Sequence, residues 1–144
     1  MSLPDLKKVK LGRQVPVVLI VNPDAAVRAY LERIVQRCKD VELRVAASGE
    51  EGLSRLTDDC VQVVFVEREL PDVDGLEFLE ALRTSPRFKR LQVVVTGESG
   101  GETAVRRALE LGACHYLLKP YSQSLTGEVL DRAFDAFHRQ GALA

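Results

Sequence analysis

The stretch VVFVERELPDVDG, residues 63–75, runs from an apolar, β-branched segment into a loop containing Pro71 and Gly75, with Glu67 at the junction. Val63, Val64, Phe65 and Val66 leave no polar face, so this segment reads as a strand covered on both sides. Such strands belong to parallel sheets sandwiched between helices. A carboxylate that closes a buried strand is costly to desolvate, which marks Glu67 as a candidate functional residue.

Working outward, the same kind of segment recurs at Val15–Val21, Val41–Ala46, Leu91–Thr96 and Cys114–Leu118. Amphipathic segments separate them. Val27, Leu31, Ile34 and Cys38 recur at helical spacing after the first strand, and Leu53 and Leu56 mark a short second helix. Leu76, Leu79 and Leu82 mark the third, and Ala104, Ala108 and Leu111 the fourth. Leu125, Val129, Ala133, Phe134 and Phe137 give the last helix its apolar side. Gly112 and Gly141 stand where helix C-cap glycines are expected. Five alternations of strand and helix predict a doubly wound (βα)5 domain: one five-stranded parallel sheet in a three-layer α/β sandwich. Loops after the strands then share the carboxyl edge of the sheet, where ligands bind in such folds. Asn22-Pro23-Asp24, Ala47, Glu67, Thr96 and Lys119 fall there.

The bulk properties bound the function. A chain of 144 residues fits one domain, here 15–140, preceded by a polar, weakly basic arm over 1–14 with Lys7, Lys8, Lys10 and Arg13. A formal net charge of -1 gives no basic footprint for direct nucleic-acid binding. Cys38, Cys60 and Cys114 lack metal-ligand spacing and read as reduced core residues of a cytoplasmic protein. No apolar run approaches the ~20 residues of a membrane span, and no signal peptide opens the chain. TGESGGETAVRRAL, residues 96–109, offers glycines before a helix but neither P-loop nor dinucleotide spacing. SPRFKR, residues 85–90, with Arg83 nearby, reads as a solvated basic turn able to meet an acidic partner.

Four stretches together resemble the receiver domain of two-component response regulators over about residues 15–139. They are VVLIVNPDAAVRAYL, VVFVERELPDVDG, VVVTGES and GACHYLLKPY. The resemblance implies the flavodoxin-like strand order 2-1-3-4-5. In that family, two acidic residues after the first strand and an aspartate after the third bind Mg²⁺. The third-strand aspartate takes a phosphoryl group, whose oxygens a hydroxyl residue and a lysine then bind. By the same resemblance, Thr96 and Tyr116 match the switch pair, and Lys119-Pro120 matches a conserved lysine followed by a cis peptide. The fourth helix, fifth strand and fifth helix match a dimer or output surface. Arg106, Arg107, Glu110, Asp131, Arg132 and Asp135 lie on it, with charges suited to reciprocal pairs across a two-fold axis.

This chain departs from that pattern where the chemistry sits. Asn22 and Pro23 stand at the acidic pair, and Glu67 stands at the acceptor. Asp24 falls one residue late, where it reads as a helix N-cap. A hard cation needs oxygen ligands, and the Pro23 side chain supplies none, so Mg²⁺ is expected of the family and not of this chain. Glu67 admits two main readings. It pairs with Lys119 as a structural residue, or it imitates the phosphorylated state by placing charge near Thr96 and Lys119. The resulting expectation is a degenerate, non-enzymatic receiver that binds a protein partner, such as a histidine kinase, an output domain or another signalling protein. The alternatives are a receiver that still accepts phosphate from a histidine kinase with Mg²⁺, and a small-ligand-binding flavodoxin-like domain.

Overall fold

The computed structural model describes residues 15–98 and 101–143. The strands are β1 (Val17–Val21), β2 (Glu42–Ala46), β3 (Val63–Glu67), β4 (Gln92–Gly97) and β5 (His115–Leu118). The helices are α1 (Ala25–Cys38), α2 (Gly49–Asp58), α3 (Gly75–Arg83), α4 (Glu102–Glu110) and α5 (Gln123–Leu143). All four strand pairings are parallel, in the order β2-β1-β3-β4-β5. The doubly wound α/β architecture and the implied order 2-1-3-4-5 are both present. The arm over 1–14 lies outside the described residues, as do Ser99 and Gly100 of the glycine-rich loop.

The alternation of side chains along each strand divides the core in two. Leu19, Val21, Val64, Val66, Val93 and Val95 face α2, α3 and α4. Val18, Ile20, Val63, Phe65 and Val94 face α1 and α5, where Leu31, Val35, Leu130 and Phe134 close the layer. Each fully buried aliphatic or phenyl side chain contributes roughly 1.5–3 kcal/mol relative to exposure. The first three helices start on side-chain caps. Asp24 accepts from Ala26 and Val27 N–H, Ser48 from Glu51 N–H, and Asp74 from Leu76 N–H. Asp24 is therefore the N-cap that its position suggested.

Several expectations need correction. Leu53 does not enter the core. The α2 turn presents Gly52 to Val21 and Leu56 to the interior, leaving Leu53 46% exposed. Leu125 is also exposed, while Leu130 takes a core position on α5. Gly112 does carry a positive φ of 86° after α4, but Gly141 is no cap. α5 runs on to Leu143, and a Cβ at Gly141 would collide with the Arg90 guanidinium. Arg90 reaches across there to donate to Phe137 O at 2.7 Å and to stack on the Phe137 ring. Cys60 is exposed rather than core; Cys38 and Cys114 are half-buried, and burial pushes the Cys114 thiol up to about 11.

Arg83 is not a surface cation for a partner. Its guanidinium donates to Leu111 O (3.1 Å), Gly112 O (2.9 Å), Phe88 O (3.3 Å) and Leu91 O (3.0 Å). One side chain thus ties the end of α3 to the entry of β4 and to the α4–β5 turn. Burial lowers its pKa.

Candidate functional site

Sheet register assembles the site. Glu67 and Thr96 are direct partners on β3 and β4, so their side chains leave the sheet edge together. Asn22 extends β1 by one rung, its N–H bonding Ala46 O at 2.9 Å. Strand order makes β1 and β3 neighbours, which sets Asn22 beside Glu67. Asn22, Glu67 and Thr96, which the sequence places at the carboxyl edge of the sheet, meet there at close range. Glu67 Oε2 accepts from Asn22 Nδ2 at 3.1 Å and from Thr96 Oγ1 at 3.1 Å. Asn22, Thr96 and Glu67 are all buried, Glu67 at 8% exposure.

The expected Glu67–Lys119 ion pair does not form. Lys119 Nζ lies 3.7 Å from Glu98 Oε1, a carboxylate whose side chain is 82% exposed. The physical reason is desolvation: an ammonium brought beside the buried carboxylate would lose its own hydration, whereas two uncharged donors fixed at strand ends already bond Oε2. Lys119 acts on Glu67 only through its field. Burial raises the Glu67 pKa above its ordinary value. The Thr96 hydrogen bond, the Lys119 charge and the Glu69 backbone N–H pull it back in part, and the Glu69 carboxylate pushes it further up.

The donor set does not fit a divalent cation. Asn22 turns its N–H₂ toward Glu67, and its Oδ1 is taken by the Asp24 N–H at 2.9 Å. Pro23 has no side-chain ligand atom, and Asp24 is committed to capping α1. Among the described residues no group of three His, Cys, Asp or Glu side chains is placed to hold a metal.

Sequence reasoning missed several supports of this site. Arg28, one turn into α1, donates to Asn22 O at 2.6 Å; the sequence signals it only as a residue at the family's spacing in the first stretch, without this contact. Gly75 is required by close approach. A Cβ there would lie 2.5 Å from Glu67 O and 2.7 Å from Arg68 Cα, and its N–H bonds Arg68 O at 2.6 Å. Tyr121 follows the Lys119–Pro120 bond, which is cis. Its ring is buried, burial pushes its hydroxyl up to about 12, and its carbonyl accepts from the Tyr30 hydroxyl at 2.8 Å. Tyr116 is buried against Val95, Ala104 and Ala108.

The family model for the response regulator receiver domain matches residues 18–130. The chain belongs to that family. It is 29% identical over 119 residues to a probable chemotaxis protein CheY of Rhizobium etli, covering 83% of this chain and 92% of that protein. It is 33% identical over 116 residues to a protein-glutamate methylesterase/protein-glutamine glutaminase of Caulobacter vibrioides. That match spans 80% of this chain and 33% of the longer protein. The signal receiver domain of an HD domain-containing protein from Pseudomonas fluorescens superposes with a TM-score of 0.80 at 19% identity, covering 88% of this chain and 99% of that one. Receiver domains work in two-component signalling, where they interact with kinases and with output or other signalling proteins.

In this receiver, the edge strand β5 is flanked by α4 and α5. Leu109 and Leu118 are exposed there. Arg106 pairs with Glu102 at 2.8 Å, Arg107 with Glu80 at 3.0 Å, and Arg132 with Glu128 at 3.8 Å, all within the chain and all well exposed. Glu110, Asp131 and Asp135 are exposed on the same helices. No helix among the described residues is long and apolar enough to cross a membrane.

Proposed function

We propose that this receiver is a phosphorylation-independent protein-interaction module of the cytoplasm, not an enzyme, held in one signalling state by Glu67. The observation that carries this reading is the hydrogen bond from Thr96 Oγ1 to Glu67 Oε2 at 3.1 Å. A switch hydroxyl that would turn toward a phosphoryl oxygen turns here toward a permanent carboxylate. Tyr116, 6% exposed, lies inward with it. A carboxylate has less charge and fewer acceptor oxygens than a phosphate. The Asn22 amide compensates by fixing Glu67 from the other side.

The output face is α4, β5 and α5, where Leu109 and Leu118 supply apolar area and Arg106, Arg107, Glu110, Asp131, Arg132 and Asp135 supply a mixed polar rim. It docks a signalling protein or a second copy of the chain. Intrachain pairing of the three arginines weakens the case for reciprocal ion pairs, so in a dimer the leucines would carry most of the affinity.

The test is incubation with Mg²⁺ and acetyl phosphate, followed promptly by intact-mass measurement, with Glu67→Gln as control. The expected result is no phosphate adduct. An adduct that the control lacks would make this a working phospho-receiver fed by a histidine kinase.

A further inference from the structure

The groove between α2 and α3 lies across the sheet from α1 and α5, and nothing in the site above uses it. It is a cavity of about 410 Å³, lined mostly by apolar atoms. Phe78 and Leu82 form its floor and belong to the core. Leu53, Val73, Ala81 and Phe88 form its walls. Leu53 is the leucine that helical spacing assigned to the core and that stands 46% exposed instead.

The rim carries one sign of charge. Glu50, Asp72 and Glu77 line the groove, and no lysine or arginine does. Among the described residues none of the three enters an ion pair. Asp72 also fixes the groove's upper end by accepting from Gly49 N–H (2.8 Å) and Glu50 N–H (2.9 Å), bonds that hold its carboxyl below the usual range. Leu53 and Ala81 stand on α2 and α3, whose backbone groups are bonded within the helices, so these two walls offer no free edge for an added strand. A peptide occupant must satisfy its own backbone, which a helix does. An apolar stripe would fill the groove, and flanking cations would meet the three carboxylates.

We propose that the α2–α3 groove is a docking site for a basic amphipathic helix of a partner protein. It lies away from the β5 edge, so this receiver would engage two partners at once.

The test uses a fluorescent, helix-forming peptide of about 16 residues, with leucines along one stripe and lysines elsewhere, and a scrambled peptide of the same composition. Both are titrated into the full chain by anisotropy. The expected result is saturable binding of the patterned peptide. Leu53→Ser weakens it about tenfold or more, while Leu109→Ser, on the other surface, leaves it unchanged. Glu50→Gln with Glu77→Gln weakens it severalfold and flattens its salt dependence. Leu53 is exposed, and matching thermal melts verify that the variants fold. Equal effects of Leu53→Ser and Leu109→Ser, equal binding of the scrambled peptide, or no saturable binding would overturn the proposal. So would groove amide signals that shift in the free chain on Lys7→Glu with Lys8→Glu, because the chain's own basic segment would then be the occupant.

Discussion

Asn22→Asp probes the centre of the site. In the native chain the Asn22 amide donates to Glu67 Oε2 across 3.1 Å, while Oδ1 accepts from the Asp24 N–H. Aspartate can keep the second bond but must turn its other oxygen toward Glu67. Two unit charges roughly 3 Å apart repel by about 5 kcal/mol at an effective dielectric of 20. The lost bond to a charged acceptor adds about 1.5–3 kcal/mol. A proton shared between the two carboxyls caps the sum, as in other paired acids. The net expectation is a loss of about 2–4 kcal/mol near neutral pH, or roughly 7–13 °C in Tm for a domain of this length. Burial already raises the Glu67 pKa, and a neighbouring acid raises it further. The folded variant then holds its proton more tightly than the unfolded chain. Its penalty grows as pH climbs above the ordinary carboxylate range and fades as pH falls below it. Facing carboxylates also make a better site for a hard cation, so Mg²⁺ should recover part of the loss in the variant and leave the native Tm unchanged. Calorimetric melts between about pH 4 and pH 8, with and without Mg²⁺, measure all of this. A variant melting within about 1 °C of the native chain near pH 7 would refute the Asn22–Glu67 contact. A native chain stabilised by Mg²⁺ would refute the argument from the donor set.

Glu67→Gln removes a buried charge whose environment disfavours ionisation on balance, while leaving an oxygen to accept from Asn22 and Thr96. It should raise Tm at neutral pH, and the gain should vanish as pH falls below the ordinary carboxylate value of about 4.5, because the native Glu67 is then neutral in both states; melts across that range would contradict this if the variant were less stable near pH 7. Arg83→Met should cost about 3–5 kcal/mol in urea unfolding, since it strands carbonyls at Leu111, Gly112, Phe88 and Leu91, and a loss under about 1 kcal/mol would mean that water replaces the guanidinium. Gly75→Ala pushes a Cβ against Glu67 O and Arg68 Cα, which are backbone atoms and cannot swing away. It should cost about 1–3 kcal/mol and shift the Glu67 and Thr96 amide resonances, whereas an unperturbed spectrum would show that the loop has room.

What was legible in the sequence follows from which interactions are repetitive. Val63 to Val66 and Val93 to Val95 are apolar on both faces, and their alternation with amphipathic helical segments makes a covered parallel sheet the fold that fits. Once strand ends share an edge, Asn22, Glu67, Thr96 and Lys119 fall on that edge without any knowledge of side-chain contacts. Helix phase is less determined in short segments. The interval between Leu53 and Leu56 fits a helix rotated either way, and Gly52, which has no side chain to register in a hydrophobic pattern, decides it by letting Val21 approach. Arg83 leaves no trace in the sequence for a related reason: its partners are carbonyls, and every residue has one.

The pairing of Glu67 was the least legible feature, and the proposed function rests on it. Formal charge pointed to Lys119, but Lys119 Nζ sits by the exposed Glu98 while two uncharged donors hold Glu67. Burial explains the preference. An ammonium brought into the pocket would lose its own hydration, and a buried ion pair repays that cost only with well-satisfied geometry. The Asn22 amide and the Thr96 hydroxyl carry smaller desolvation costs and are already fixed at strand ends. Asn22 and Glu67 are therefore best understood as one paired change. Where an acid at position 22 would need a cation between it and residue 67, an amide bonds the carboxylate directly. That reasoning makes the two positions non-additive: Glu67→Asp alone pulls the carboxylate back from both donors and should not restore phosphorylation. Glu67→Asp combined with Asn22→Asp and Pro23→Asp rebuilds an acidic cluster that a hard cation can fill. Phosphorylation of the single variant in the acetyl phosphate assay would show that the amide is incidental.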